Sequence, residues 1–125
     1  MIYFKKKLFV IDHQDLHYNH PCLDIASLIF DARRTYSPKL EEKVIKDYAR
    51  KSGRSLSQFR DDIHMVGLAR NLRILGNWVS LYRAGKTHYL KRFRKHTWLQ
   101  ILKHAEHLRL WDLRELFEEI YKKTK

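Results

Sequence analysis

The sequence predicts a mainly α protein of one domain, with an N-terminal two-stranded β-hairpin followed by about five helices. Three observations carry this. The chain has 125 residues, 44% of them hydrophobic and 13% aromatic, which is enough to bury one core and short for two. From Leu23 onward, apolar residues recur every three or four positions, punctuated by residues that start and stop helices. Ahead of them stand two short β-branched and aromatic runs.

The hairpin is read from Ile2 to Phe4 and from Leu8 to Ile11, with Lys5 to Lys7 connecting them. The connection lacks the Asn-Gly signal of a tight primed turn. Two strands alone are marginal in water, so the pair needs a surface to pack on. Asp12 to Pro21 is polar and irregular and reads as a loop, with Pro21 suited to the first turn of the helix that follows. In that first helix Leu23, Ala26, Ser27 and Phe30 share a face, which Ile25, Leu28 and Ile29 broaden. A segment so apolar reads as a buried helix, ending near Arg33 and Arg34.

Ser37-Pro38 is an N-cap followed by a first-turn proline. Leu40, Val44 and Tyr48 then recur at helical spacing, and Gly53 closes the element. Ser55 with Gln58 forms a capping box for a long helix through Ile63, Leu68, Leu72, Leu75, Val79 and Tyr82. Gly67 and Gly76 inside it allow either close packing or a break, and Gly85 stops it. His88 to about His107 is the next helix, with Leu90, Phe93, Thr97, Ile101 and Ala105 on one side. Asp112 and Glu115 suit the start of a last helix, with Leu113, Leu116, Phe117 and Ile120 inward. Lys122, Lys123 and Lys125 favour its C-terminal end through the helix dipole.

Composition excludes several classes. One cysteine, Cys22, cannot make an internal disulfide framework and fits a reducing compartment. No apolar run reaches the roughly 18 residues of a membrane span, and the N-terminus lacks the long apolar region and cleavage site of a secretory signal. The expected location is the cytoplasm, with no membrane partner. Lys and Arg number 26 against 14 acids, a formal net charge of +12. From Ile63 to Ala105 there is no Asp or Glu, while Arg70, Arg73, Arg83, Arg92 and Arg94 all fall in that window. Such a field attracts anions. A solvated face, or one complementary to a partner's acidic segment, is the plainer reading, because no nucleic-acid motif accompanies the charge.

The sharpest local feature is Val10-Ile11-Asp12-His13-Gln14-Asp15, where a strand ends in a carboxylate. Hard cations such as Mg²⁺ take one or two carboxylates together with substrate phosphates. Twelve residues on, Asp24 opens an apolar helix, either as a terminal cap or in a chemical role. Asp12, His13, Asp15, His17, His20 and Asp24 are also residue types that ligate transition metals, although their spacing matches no closed site. The histidines could serve as acids or bases, but no nucleophile stands at a recognisable spacing. Cys22, beside Pro21, reads as a small buried residue rather than a nucleophile.

Ile11-Asp12-His13-Gln14-Asp15, Pro21 and the run Asp24-Ile25-Ala26-Ser27-Leu28-Ile29-Phe30-Asp31 together resemble the aminoglycoside phosphotransferase family. The branch they are most like is the bacterial sugar kinases of the N-acetylmuramate/N-acetylglucosamine type. A second match follows in order: Arg70-Asn71-Leu72-Arg73-Ile74-Leu75-Gly76, then Leu81-Tyr82-Arg83, Gly85-Lys86 and Tyr89-Leu90. The resemblance covers about residues 1 to 95. It implies the helical C-terminal lobe of a protein-kinase-like fold, with the hairpin lying against it.

By the same resemblance, Asp12 matches the metal-binding Asp of the kinase D-F-G position, which holds Mg²⁺ on the nucleotide phosphates. Asp24 matches a helix-start Asp that braces the catalytic loop, a supporting role. His13 departs from the commoner aromatic at its position. The family's H-x-D-x-x-x-x-N loop, its nucleotide-covering loop and its phosphate-binding lysine are not in the chain. No catalytic residue is therefore assigned within it, and no nucleotide-binding residue.

The expectation is a C-terminal piece of an ATP-dependent phosphotransferase, inactive alone. Its partner would be the missing N-terminal half, and its substrate in the intact enzyme an amino sugar. Mg²⁺ and ATP are implied by the resemblance and are not expected to bind tightly to this chain alone. The competing expectation is a non-enzymatic basic helical module that binds nucleic acid or another polyanion.

Overall fold

The structure is a computed structural model that describes residues 2–9 and 19–124. Five helices make the body: α1 Leu23–Ile29, α2 Pro38–Ser52, α3 Leu56–Arg83, α4 His88–His107 and α5 Trp111–Lys123. Helix α3, 28 residues long, is the spine, and at 1.5 Å per residue it runs about 42 Å. Helices α1 and α2 pack on it, α4 runs against it, and α5 packs on α4.

Local chemistry sets most of the boundaries. Ser37 Oγ accepts from the Leu40 N–H at 3.2 Å, and Gly53 ends α2 at φ 67°, a left-handed conformation that favours glycine. Ser55 caps α3 through the Gln58 N–H. Helix α3 passes through both Gly67 and Gly76 without a break. Gly67 is buried because α4 approaches closely there: a Cβ would meet the His104 ring at 2.9 Å.

Two apolar clusters form the core. One joins α1, α2 and the start of α3 through Ala26, Phe30, Ile45, Ala49, Phe59 and Ile63. The other joins α3, α4 and α5 through Leu68, Leu75, Trp98, Ile101, Ala105 and Phe117. Between them lie buried polar side chains, among them His64, Asn71, Thr97 and His104.

The expected fold class needs correction. It made an N-terminal two-stranded hairpin a member of the fold, lying against a kinase-like helical lobe. The fold of the described residues is helical, and no β layer belongs to it. The N-terminal backbone pairs over only three positions, Ile2↔Phe9, Tyr3↔Leu8 and Phe4↔Lys7, across a turn in which Lys5 and Lys6 both have positive φ. A ladder that short cannot form a sheet face of its own. Among the described residues, both core clusters are built from residue 22 onward.

Three smaller expectations also change. Helix α1 ends at Ile29, before Arg33, because Asp31 Oδ1 accepts from the Arg33 N–H at 2.8 Å and turns the chain. Pro21 precedes α1 rather than opening its first turn. On α5 only Phe117 of the expected inner stripe is buried, while Leu113, Leu116 and Ile120 are exposed. The reason is that α5 packs mainly along α4, and one main contact line covers only part of a helix surface. Asp112 lies in the first turn of α5, whose N-cap is Leu110.

Candidate functional site

Asp12, the expected metal ligand, lies outside the described residues, as do His13, Asp15 and His17. The description resumes at Asn19, in a tight turn leading into α1. Asn19 Oδ1 accepts from the His20 N–H at 2.7 Å, and His20 Nδ1 accepts from the Cys22 N–H at 3.2 Å. With Nδ1 acting as acceptor, the neutral His20 ring carries its proton on Nε2. Asp24 is exposed in the first turn of α1, where a carboxylate suits the positive end of the helix.

This turn faces the middle of α3 across a cleft of about 240 Å³, lined by Asn19, His20, Leu23, Val66, Arg70 and Arg73. Among the described residues no carboxylate lines it. Arg70 is half-buried, and among the described residues its buried Nη1 has no hydrogen-bond partner. Burial lowers the pKa of the Arg70 guanidinium. Asp31 opposes that shift, while the charges of Arg33 and Arg73 add to it. Asp31 acts on Arg70 through its charge, while its Oδ1 accepts from both the Arg33 backbone N–H and the Arg33 Nε. Burial raises the Asp31 pKa, but the bonds from Arg33 outweigh this and leave it below the ordinary carboxylate value.

Behind the turn, His20, Cys22 and Asp62 present ligand-type atoms that all lie within 4.8 Å of one another. Arg54 already supplies a cation there. Its Nη1 donates to Cys22 Sγ at 3.3 Å and its Nη2 to Asp62 Oδ2 at 2.6 Å. Burial raises the Cys22 thiol pKa, with Asp62 adding to the shift and Arg54 opposing it. The side chain is fully buried, as a small core residue would be. Of the two transition-metal candidates among the described residues, His20 and Asp24, His20 belongs to this group. A larger cavity of about 550 Å³, between α3, α4 and α5, is mostly apolar. Arg94 at its edge is committed to the Tyr121 carbonyl and the Thr124 hydroxyl.

The sequence had marked Arg70 and Arg73 both as members of the acid-free window and within the second family-like stretch. It did not mark the buried His64–His104 pair. The available signal was the spacing of His64, Gly67 and Asn71 along one stripe of α3, opposite His104 on α4. Among the described residues no helix is long and apolar enough to cross a membrane.

No family model and no solved structure matches the chain. Among curated proteins, it is 35% identical over 82 residues to the N-acetylmuramate/N-acetylglucosamine kinase of Caulobacter vibrioides. The matched stretch is 64% of this chain and 23% of that protein, so the chain spans about a quarter of the relative's length. This similarity points to a relationship with a sugar kinase.

Proposed function

We propose that the chain is a portion of an ATP-dependent sugar kinase of the aminoglycoside phosphotransferase type, with an amino sugar as the phosphate acceptor. The observation that carries this reading is the 82-residue likeness to a kinase named for N-acetylmuramate and N-acetylglucosamine. The cationic cleft beside the turn at Asn19 and His20 is consistent with it, since both the phosphoryl donor and its product are anionic. In this reading the protein works in the cytoplasm, where ATP is available.

Asp12 is the residue that would hold Mg²⁺. A carboxylate is the donor type a hard cation takes, and a single one suffices when phosphate oxygens and water complete the shell. Mg²⁺ so held neutralises charge on the nucleotide phosphates. Asp24, at the start of α1, would brace the catalytic loop supplied by the missing segment. One such ligand does not assemble a phosphotransfer site, because a positioned general base alone is worth roughly 10²- to 10⁴-fold. The chain by itself is therefore inactive in this reading, and the rest of the machinery comes from a partner segment.

A chimera tests it. The matched stretch of the Caulobacter vibrioides kinase is replaced by this chain, and folding is checked by circular dichroism. ATP-dependent phosphorylation of N-acetylmuramate and N-acetylglucosamine is then followed by mass spectrometry. The expected result is a phosphorylated sugar from the chimera, none from the chain alone, and loss of product on Asp12→Asn. A folded chimera that phosphorylates neither sugar removes the reading.

The second reading, a non-enzymatic basic module for nucleic acid, is favoured by the acid-free stretch from Ile63 to Ala105. It requires RNA or DNA binding that weakens steeply with salt.

A further inference from the structure

From the cleft between the Asn19–Leu23 turn and α3, we infer that Arg70 and Arg73 form a binding site for the oxyanion of a small ligand, a carboxylate or a phosphate monoester. This inference stands on the cleft alone and does not need the kinase reading.

A buried donor without a partner is costly, and more so when it is charged. Arg70 Nη1 is such a donor among the described residues. Arg70 and Arg73 lie three apart on one helix, where like charges repel. Arg33 adds a third positive charge close enough to act on Arg70. Among the described residues the carboxylate that acts on Arg70 is Asp31, whose Oδ1 takes two bonds from Arg33. A cleft that Arg70 and Arg73 line, with no acid among its described lining residues, is complementary to an anion.

The ligand's chemistry follows from the donors. A guanidinium is a planar fork that matches the two oxygens of a carboxylate or phosphate, which a lysine ammonium cannot do. The turn side of the cleft adds His20, whose Nε2–H tautomer gives one more donor. Leu23 and Val66 supply apolar walls for whatever carries the anion. At about 240 Å³ the cleft is smaller than the roughly 300–1,000 Å³ pockets of drug-sized ligands. It holds an anionic group and its immediate attachment rather than a polymer.

The test uses the 125-residue chain, labelled with ¹⁵N, and follows arginine Nε–H resonances. Inorganic phosphate and then acetate are titrated at constant ionic strength. The expected result is a saturable shift of the Arg70 and Arg73 signals with at least one of the two. The better probe assigns the oxyanion as phosphate or carboxylate. Arg70→Lys keeps the charge but loses the fork and weakens binding about tenfold or more. If Arg70→Lys lowers the melting temperature, Arg73→Gln at an exposed position gives the same weakening in a folded chain. Arg109→Lys, in the loop between α4 and α5, leaves binding unchanged.

Small, uniform, unsaturable shifts across the exposed arginines would mean an ion atmosphere and overturn the site. Undiminished binding in both Arg70→Lys and Arg73→Gln overturns it as well. Displacement of the probe by single-stranded RNA, with affinity falling steeply in salt, would replace it with a nucleic-acid face. Phosphate or acetate binding in a chain whose chimera phosphorylates no sugar removes the kinase reading and leaves this site standing. An active chimera without saturable binding does the reverse.

Discussion

His64 Nδ1 and His104 Nδ1 lie 2.9 Å apart, buried between α3 and α4. One nitrogen must donate and the other accept. Asn71 Nδ2 lies 3.4 Å from His104 Nε2 and, as a donor, makes that nitrogen the acceptor. The shared proton then belongs to His104 Nδ1, and His64 is protonated on Nε2. The His107 ring stacks on His64 at 3.8 Å between centroids, and Phe30 packs edge-on against His104. Both imidazoles are neutral. Burial first, then the His104, His107, Lys103 and Arg60 charges, push His64 down to about 2. Burial, Lys103 and His107 push His104 down to about 3.

Stability therefore depends on pH in a definite direction. Unfolded, each histidine titrates near 6.5, while folded it stays neutral until far lower pH. The unfolded state binds more protons across that interval, so stability is fully present above about pH 6.5 and is lost as pH falls below it. Each imidazole contributes a slope of about 1.4 kcal/mol per pH unit. Asp31 and Glu42, whose values are lowered, act only below the ordinary carboxylate range. Urea unfolding at pH 7.5, 6.0 and 5.0 should show a falling midpoint. A constant midpoint would overturn the neutral pair.

The two glycines inside α3 should respond oppositely to alanine. At Gly67 a Cβ would meet the His104 ring at 2.9 Å and Phe30 Cδ2 at 3.0 Å. Gly67→Ala should cost about 1–3 kcal/mol through overpacking, in excess of the helix-propensity gain. At Gly76 nothing lies within 4 Å. Gly76→Ala should stabilise by about 0.5–1 kcal/mol. Thermal melts of the two variants decide it, and matching signs would show that α3 and α4 are not in close contact at Gly67.

Ser37 is worth a cap. Its hydroxyl accepts from the Leu40 N–H, which also donates to the Ser37 carbonyl. Ser37→Ala should cost about 1 kcal/mol, and Ser37→Gly only a few tenths. Equal losses in both variants would mean that the hydroxyl bond contributes nothing.

Cys22 should be inert, and the group around it should not take zinc. The thiol is fully buried and its pKa is raised. A thiol reagent should modify the native chain only through unfolding and react freely in urea. Arg54 occupies the cation's place between Cys22 and Asp62. Zn²⁺ should leave the melting temperature unchanged, and a zinc-dependent rise would show that Arg54 yields to the metal.

What was legible in the sequence was local. Ser37, Pro38 and Gly53 bound α2 because a cap, a fixed φ and a left-handed residue act within a single turn of chain. The stripe of Thr97, Ile101 and Ala105 on α4 was read correctly and is buried, since it faces α3 along its length. The arginines of the candidate cleft were visible as charge, but their confinement was not. Asn19 and His20 reach Arg70 across about fifty residues of chain, and no periodicity encodes that approach.

The errors share one cause. Leu113, Leu116 and Ile120 have the spacing of an inner face, yet burial requires a neighbour, and α5 packs mainly along α4. The strand-like residues at Ile2–Phe4 pair with Lys7–Phe9, yet three paired positions make no layer. His64 and His104, forty residues apart, read as two ordinary polar positions until α3 and α4 bring them into one hydrogen bond. The sequence by itself determined where helices begin, which residues recur on one side and how charge is distributed, because these depend on contacts within about one turn. Only the tertiary structure decided which stripes are covered, which histidines are held neutral and which arginine lacks a partner. Each of those depends on removal from water by a segment distant in the chain.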